Sequence, residues 1–319
     1  MSNRFRIIYL ILSLLLIAAL TVGCNKEPEI TESKNEKNTS DSSFPLTLND
    51  QMGREVTIEV LPERIVSLAP SNTEILFALG LEDKIVGVTD YCDYPKAVSS
   101  KDKIGGYSEP NIEKIISLKP DLILATDIHQ KPVEELEKLG VPSVVIEPED
   151  FDEMLASIEI TGKATGRHKE ATALINDLKA RIKEVGDMVA KIPTDNRPKV
   201  LYELWHTPIT TAGPGTFVDD IIQRAGGENI ARDANKAYPQ YSQEMIIAKN
   251  PDIIIFSHHG TTGETAEDIL QRPGWNSINA VKNNKVFYVD ENLVQRATPR
   301  LVDGLEQFVK IMHPELFEN

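Results

Sequence analysis

IEKIISLKPDLILATD, residues 112–127, is echoed far along the chain by QEMIIAKNPDIIIFSH, residues 243–258. The two stretches match nearly position for position. Glu113 stands seven residues before Pro120, and Glu244 stands seven before Pro251. Each copy reads as an acidic residue in a helix, a Pro-Asp turn, and then an apolar run of strand length. Each run ends in polar groups: Asp127-Ile128-His129 in the first, Ser257-His258-His259 in the second. Leu122–Ala125 and Ile253–Phe256 are continuously apolar rather than alternating. That is the pattern of strands buried on both faces of a parallel sheet. A duplicated helix–turn–strand unit predicts two halves of one design.

Five further short runs share this texture: Ile65–Leu68, Ile85–Val88, Val144–Ile146, Val200–Leu204 and Val286–Tyr288. Helical patterns fall between them at Asn72–Leu79, Ile112–Leu118, Pro132–Leu139, Phe217–Arg224 and Gln243–Ala248. Gly80 and Gly140 stand where helix C-caps are expected. Alternation of strand and helix predicts an α/β protein. Phe151 to Lys191 breaks the rhythm, because it holds no strand pattern. Gly162 and Gly166 punctuate its first part. Ala173, Leu174, Leu178, Ile182 and Val185 then recur at helical spacing. The spacing predicts a long helix from about Arg167 to Lys191, closed by Pro193. The expected fold is two Rossmann-like lobes with mainly parallel sheets, residues 45–165 and 193–319, joined by one long α-helix within 166–192.

The amino end sets the compartment. Arg4 and Arg6 precede an apolar run, Ile7 to Leu20, interrupted only by Tyr9 and Ser13. A bilayer span needs about 20 residues, so this run reads as the core of a secretory signal, residues 1–23. It ends in Leu20-Thr21-Val22-Gly23-Cys24, which resembles the lipobox of bacterial lipoproteins and implies a lipid on Cys24. Residues 24–44 are then rich in Glu, Lys, Asn, Ser and Thr and read as a flexible tether. The body is expected outside the cytoplasm, anchored to the membrane through that lipid. The formal net charge of −15 disfavours nucleic acid, whose phosphates would repel it. It suits a monomer that docks on a basic surface. With Cys24 assigned, Cys92 has no partner, so no disulfide framework is expected.

Ligands of open parallel sheets bind beyond the carboxyl ends of the strands, and two facing lobes would share one cleft. The segments after the strands, or before the helices, supply Tyr91, Tyr107, Trp205, His206, Tyr238 and Arg296. Aromatic faces suit a large flat ligand. His129, His206, His258 and His259 also fall near these ends, and three imidazoles are enough for a transition metal. The sequence shows no His-rich loop and no tight His/carboxylate spacing, so direct metal-ion binding is not the favoured reading. His168 and His313 read as surface residues. No resident cofactor is expected. An enzyme would need a nucleophile–base pair or clustered ligands. There is no G-x-S-x-G elbow, no H-E-x-x-H and no Gly-rich phosphate loop, so a metal-dependent enzyme is the weaker reading.

Four stretches carry a family resemblance: RIVSLAPSNTEILFALGLEDKIVGVTDYCDYP (64–95), IGGYSEPNIEKIISLKPDLILA (104–125), AGGENIARDANKAYPQYSQEMIIAKNPDIIIF (225–256) and QRATPR (295–300). Together they resemble the helical-backbone solute-binding proteins of ABC importers, which carry cobalamins, ferric siderophores and haem. The resemblance covers residues 46–312. It is nearest to the cobalamin-binding branch through Asp93-Tyr94-Pro95, Tyr238-Pro239-Gln240 and Arg296-Ala297-Thr298-Pro299-Arg300. Tyr107 and Tyr238 stand where that branch often has Trp, and Trp205-His206-Thr207-Pro208 departs from its aromatic pattern. The resemblance implies little hinge motion and ligand contacts at Tyr91, Tyr107, Tyr238 and Arg296. His206 would suit axial capping of a chelated metal. It further implies that Glu113 and Glu244, one per lobe, pair with arginines of the membrane permease, which works with its ATPase. Two equivalent acids on equivalent lobes suit a nearly two-fold partner. The expected ligand is a corrinoid of the vitamin B12 type, with haem or a ferric siderophore as the alternative.

Overall fold

The computed structural model describes residues 43–258 and 264–317. The signal, Cys24, most of the tether and His259 lie outside the described residues. An antiparallel hairpin comes first, β1 (Leu46–Asn49) with β2 (Glu55–Ile58). The N-terminal sheet follows: β3 (Ile65–Ser67), β4 (Ile85–Val88), β5 (Leu122–Ala125) and β6 (Ser143–Val145). All its pairings are parallel, in the order β4-β3-β5-β6. Its helices are α1 (Pro70–Ala78), α2 (Ile112–Ser117) and α3 (Gln130–Lys138). The C-terminal sheet holds β7 (Lys199–His206), β8 (Ile209–Thr211), β9 (Glu228–Asn229), β10 (Ile253–Phe256) and β11 (Val286–Tyr288). Its order is β11-β10-β7-β8, with β9 beside β7; β8 alone runs antiparallel. Around it lie α6 (Phe217–Arg224), α7 (Gln243–Lys249), α8 (Ala266–Leu270), α9 (Asn279–Lys282) and α10 (Leu301–Met312).

The sequence repeat is a repeat in space. Asn111 caps α2 by accepting from the Lys114 amide, and Ser242 caps α7 by accepting from the Met245 amide. Each helix ends at a left-handed residue, Lys119 (φ 50°) in one copy and Asn250 (φ 46°) in the other. A Pro-Asp pair then feeds the strand. The Asp121 carboxylate accepts from the Arg64 amide at 2.9 Å, at the start of β3. The Asp252 carboxylate accepts from the Lys199 amide at 3.0 Å, at the start of β7. The same side-chain clamp thus sets the register of both central strand pairs. All eight residues of β5 and β10 are buried, as their unbroken apolar runs require.

Between the sheets the chain forms α4 (Phe151–Ala164) and α5 (His168–Val189). The first of these departs from expectation, since Gly162 does not break it. An added Cβ there would sit 2.4 Å from the Ala171 Cβ, so the glycine marks where α4 and α5 touch. The turn comes at Gly166, at φ +68°, a conformation costly for any residue with a Cβ. Leu178, Val185 and Val189 of α5 belong to one buried apolar cluster that includes Ile65, Leu122 and Val144 of the first sheet and Val200, Tyr202 and Ile253 of the second. The outer face of each sheet carries its own smaller cluster.

Candidate functional site

A cleft of about 740 Å³ opens between the two sheets. Small-molecule sites span roughly 300–1,000 Å³, so this one suits a large ligand. The N-terminal side contributes the start of α1 (Ala69, Pro70, Ser71), Tyr91 after β4, Gly106 to Glu109, Thr126 after β5, and Ile146 to Pro148 after β6. The C-terminal side contributes Phe217 at the start of α6 and Gln295, Arg296 and Ala297 before α10. The N-terminal contributions thus gather at the carboxyl ends of parallel strands, around β3, where the strand order reverses.

Tyr91 is 63% exposed, a large apolar face left open on the cleft wall. Tyr107 is half-buried; its hydroxyl lies 3.3 Å from Thr126 Oγ1, and its ring meets His129 edge-on. Gly105, at φ +99°, supplies the turn that delivers Tyr107. His129 is fully buried and supports this wall from behind. Its Nδ1 bonds the Thr126 hydroxyl and its Nε2 bonds the Tyr107 carbonyl oxygen. Burial lowers its pKa, and with both ring nitrogens engaged by Thr126 and Tyr107 the ring acts as a strut behind the wall.

Arg296 lines the cleft, yet its guanidinium is already engaged across it. It donates to Asp93 Oδ1 at 2.6 Å and to Glu74 Oε1 at 3.4 Å. Arg300 donates to the same Glu74, at 2.6 and 2.8 Å, and stacks 3.8 Å over the Tyr94 ring. Burial pushes the Asp93 carboxyl up, but the hydrogen bond and charge of Arg296 outweigh it and hold the group below its ordinary value. Glu74 is buried within α1, so two cations of one lobe close on an acid of the other. Glu109 and Glu147 also line the cleft. Burial, reinforced by the charge of Asp127, raises the Glu147 carboxyl.

The remaining expected contacts stand elsewhere. Trp205, His206 and Tyr238 are not among the residues lining the cleft. Trp205 and His206 end β7 and turn with cis Thr207-Pro208 into β8. Tyr238 is 56% exposed on the segment that runs beside β8. Glu113 and Glu244 occupy the second position of α2 and α7, both exposed. His313 departs from the surface reading: it is 2% exposed, and its Nε2 lies 3.3 Å from the Gly226 carbonyl. Cys92 is free and buried, 3.2 Å from the hydroxyls of Thr73 and Thr89. The sequence names Asp93 and Arg300 only as parts of motifs, and Glu74 not as a cleft residue. Glu74 carried a signal, a carboxylate set among Ile75, Leu76 and Phe77 in a helix beside the first strand.

Two parallel-sheet lobes, a spine of helices and a cleft at the strand ends define a binding protein for a bulky solute. The chain belongs to the periplasmic binding protein family, whose model matches residues 65–293. It is 36% identical over 312 residues, 96% of this chain and 97% of the relative, to the uncharacterized ABC transporter substrate-binding lipoprotein YvrC of Bacillus subtilis. It is 33% identical to the vitamin B12-binding protein of Vibrio cholerae, over 77% of this chain and 87% of that one. The periplasmic heme-binding protein RhuT of Roseiflexus superposes with a TM-score of 0.71 at 27% identity, over 80% of this chain and 99% of that one. This protein is therefore a solute-binding component of the ABC-importer class and not an enzyme.

Proposed function

We propose that this chain is an extracytoplasmic lipoprotein, held by a lipid on Cys24, that captures a corrinoid in its interlobe cleft and delivers it to an ABC permease and its ATPase. The charge of the cleft carries this reading. Arg296 is the one cation among the described residues that line it, and Asp93 and Glu74 already neutralise that cation. Glu109 and Glu147 add negative charge to the wall. A haem with two propionates, or a multiply anionic ferric chelate, would meet uncompensated carboxylates. A corrinoid presents mainly carboxamide edges, whose N–H groups donate to carboxylates and tyrosine hydroxyls. Its flat macrocycle suits the open face of Tyr91. The B12-binding relative supports the same ligand class.

Absorbance titration of the purified protein with cyanocobalamin, haemin and a ferric siderophore tests the reading. Saturable one-to-one binding of cyanocobalamin in the micromolar range or tighter is expected. Tight binding of haemin or the ferric chelate with no response to cyanocobalamin overturns it.

A further inference from the structure

A second polar cluster lies at the carboxyl ends of β7 and β10, outside the cleft lining. Glu203 of β7 is fully buried, and Arg272 holds both its oxygens, donating Nη2 to Oε1 at 2.6 Å and Nη1 to Oε2. The Glu203 carboxylate, locked in this fork, is an acceptor only. His258 follows β10, and its side chain is 3% exposed. Its Nε2 lies 2.9 Å from Glu203 Oε1 and must therefore donate to it.

That bond fixes the other side of the ring. In the neutral imidazole, His258 Nδ1 presents a lone pair. Nδ1 is buried and has no hydrogen-bond partner among the described residues. It faces Glu264 Oε2 at 3.3 Å, a contact whose geometry is not that of a hydrogen bond. His206 Nδ1, 4.0 Å from the same oxygen, is likewise buried and without a hydrogen bond. Glu264 is aimed by the guanidinium that grips Glu203, since Arg272 Nη2 donates to its Oε1 at 2.6 Å. One ligand atom each from His206, His258 and Glu264 therefore lies within 4.8 Å of the others.

We propose that His206, His258 and Glu264 form a three-ligand site for a divalent transition-metal ion such as Zn²⁺. Two imidazoles and one carboxylate are a common Zn²⁺ set, with a fourth position left to water or another ligand. A carboxylate behind the buried imidazole is the usual device for fixing its tautomer and raising its basicity. Here Glu203 fills that place. Two carboxylates and one guanidinium leave the cluster one negative charge, which a divalent ion meets favourably. Closing the three atoms onto one ion at roughly 2.0–2.1 Å asks the side chains to move about an ångström.

The test uses the chain purified without a histidine tag, stripped of metal, and free of corrinoid. Titration with Co²⁺ is expected to give one ion per chain and the intense visible d–d bands of a four-coordinate site, which Zn²⁺ then displaces. His206→Ala leaves the Glu203–His258–Arg272 unit intact. It is expected to abolish those bands and weaken Zn²⁺ binding at least ~100-fold, the upper range for loss of a supporting group. Glu264→Gln is expected to act in the same direction, with circular dichroism confirming that both variants remain folded. Absence of Co²⁺ uptake at stoichiometric protein, or uptake unchanged in both variants, overturns the site. Because no corrinoid is present, failure here is distinguishable from failure of the proposed ligand.

Discussion

Glu74 has a side chain only 3% exposed and faces two arginines whose side chains are 23% and 17% exposed. Removing one member of a buried ion pair strands the other, at a cost of about 3–5 kcal/mol. These arginines keep some solvent, so Glu74→Gln is expected to lower unfolding free energy by about 2–3 kcal/mol in urea melts. A change below about 0.5 kcal/mol would show that the network carries no net stability. Asp93 gives the pH counterpart. Its folded pKa lies below the ordinary 3.8, so its stabilising term is complete above about pH 4. The term fades as the pH falls through the lower folded value. Thermal melts of Asp93→Asn should therefore differ from the parent at pH 6 and converge with it in acid. The cleft acids make a separate prediction. Glu109→Gln with Glu147→Gln removes two negative charges from the wall, and haemin affinity is expected to rise about tenfold, near 1.4 kcal/mol. Cyanocobalamin affinity should change less than threefold. Arg296 is legible in the sequence as a cleft residue, but its partners are not. Asp93 and Glu74 lie 203 and 222 positions away, and only the packed lobes bring them within reach.

At the scale of elements, contact between α4 and α5 decides whether the spine forms. A methyl at Gly162 would overlap the Ala171 Cβ at 2.4 Å and press on the Arg167 carbonyl oxygen at 3.0 Å. Neither is the free end of a long side chain, so the helices must separate. Overpacking of this kind costs about 1–3 kcal/mol. Gly162→Ala is expected to lose that much in chemical melts, even though alanine is the better helix former. A stabilised variant would refute the close approach. Strands buried on both faces were readable because continuous Val and Ile runs admit few alternatives, and all seven such runs are strands to within two residues at an end. The β1–β2 hairpin was not readable. Its strands have four residues each, half-solvated, and alternate with exposed positions. The helix α10 carries its own trace in the sequence: Leu301, Val302, Leu305, Phe308, Val309 and Met312 recur at helical spacing and fall on one buried face. The cluster around Glu203 was illegible for another reason. His258 and Arg272 reach it across 55 and 69 positions, so no local spacing announces it.

The whole molecule combines a rigid frame with a two-fold pattern of charge. One apolar cluster runs from the first sheet through α5 into the second, and Arg181 of α5 adds ion pairs to Asp303 and Glu306 of α10. Bending the lobes apart would open that core to water, at roughly 25 cal/mol per Å² exposed. Such a frame leads to the expectation of ligand capture with little hinge motion. A signal to the transporter must then rest on surface groups that stand ready without closure. Glu113 and Glu244 meet that condition. Each is exposed at the second position of a capped helix, and each helix enters its lobe through the same Pro-Asp clamp, so the two acids are related by the repeat itself. A permease with basic groups on two similar halves would engage both at once, and each contact would raise the effective concentration of the other. Glu113→Lys or Glu244→Lys alone is then expected to weaken transport partially. The double variant should reduce uptake of labelled ligand to background while the purified protein binds that ligand within twofold of the parent. Uptake that survives the double reversal, or affinity that falls with it, would remove the docking role and place recognition elsewhere on the surface.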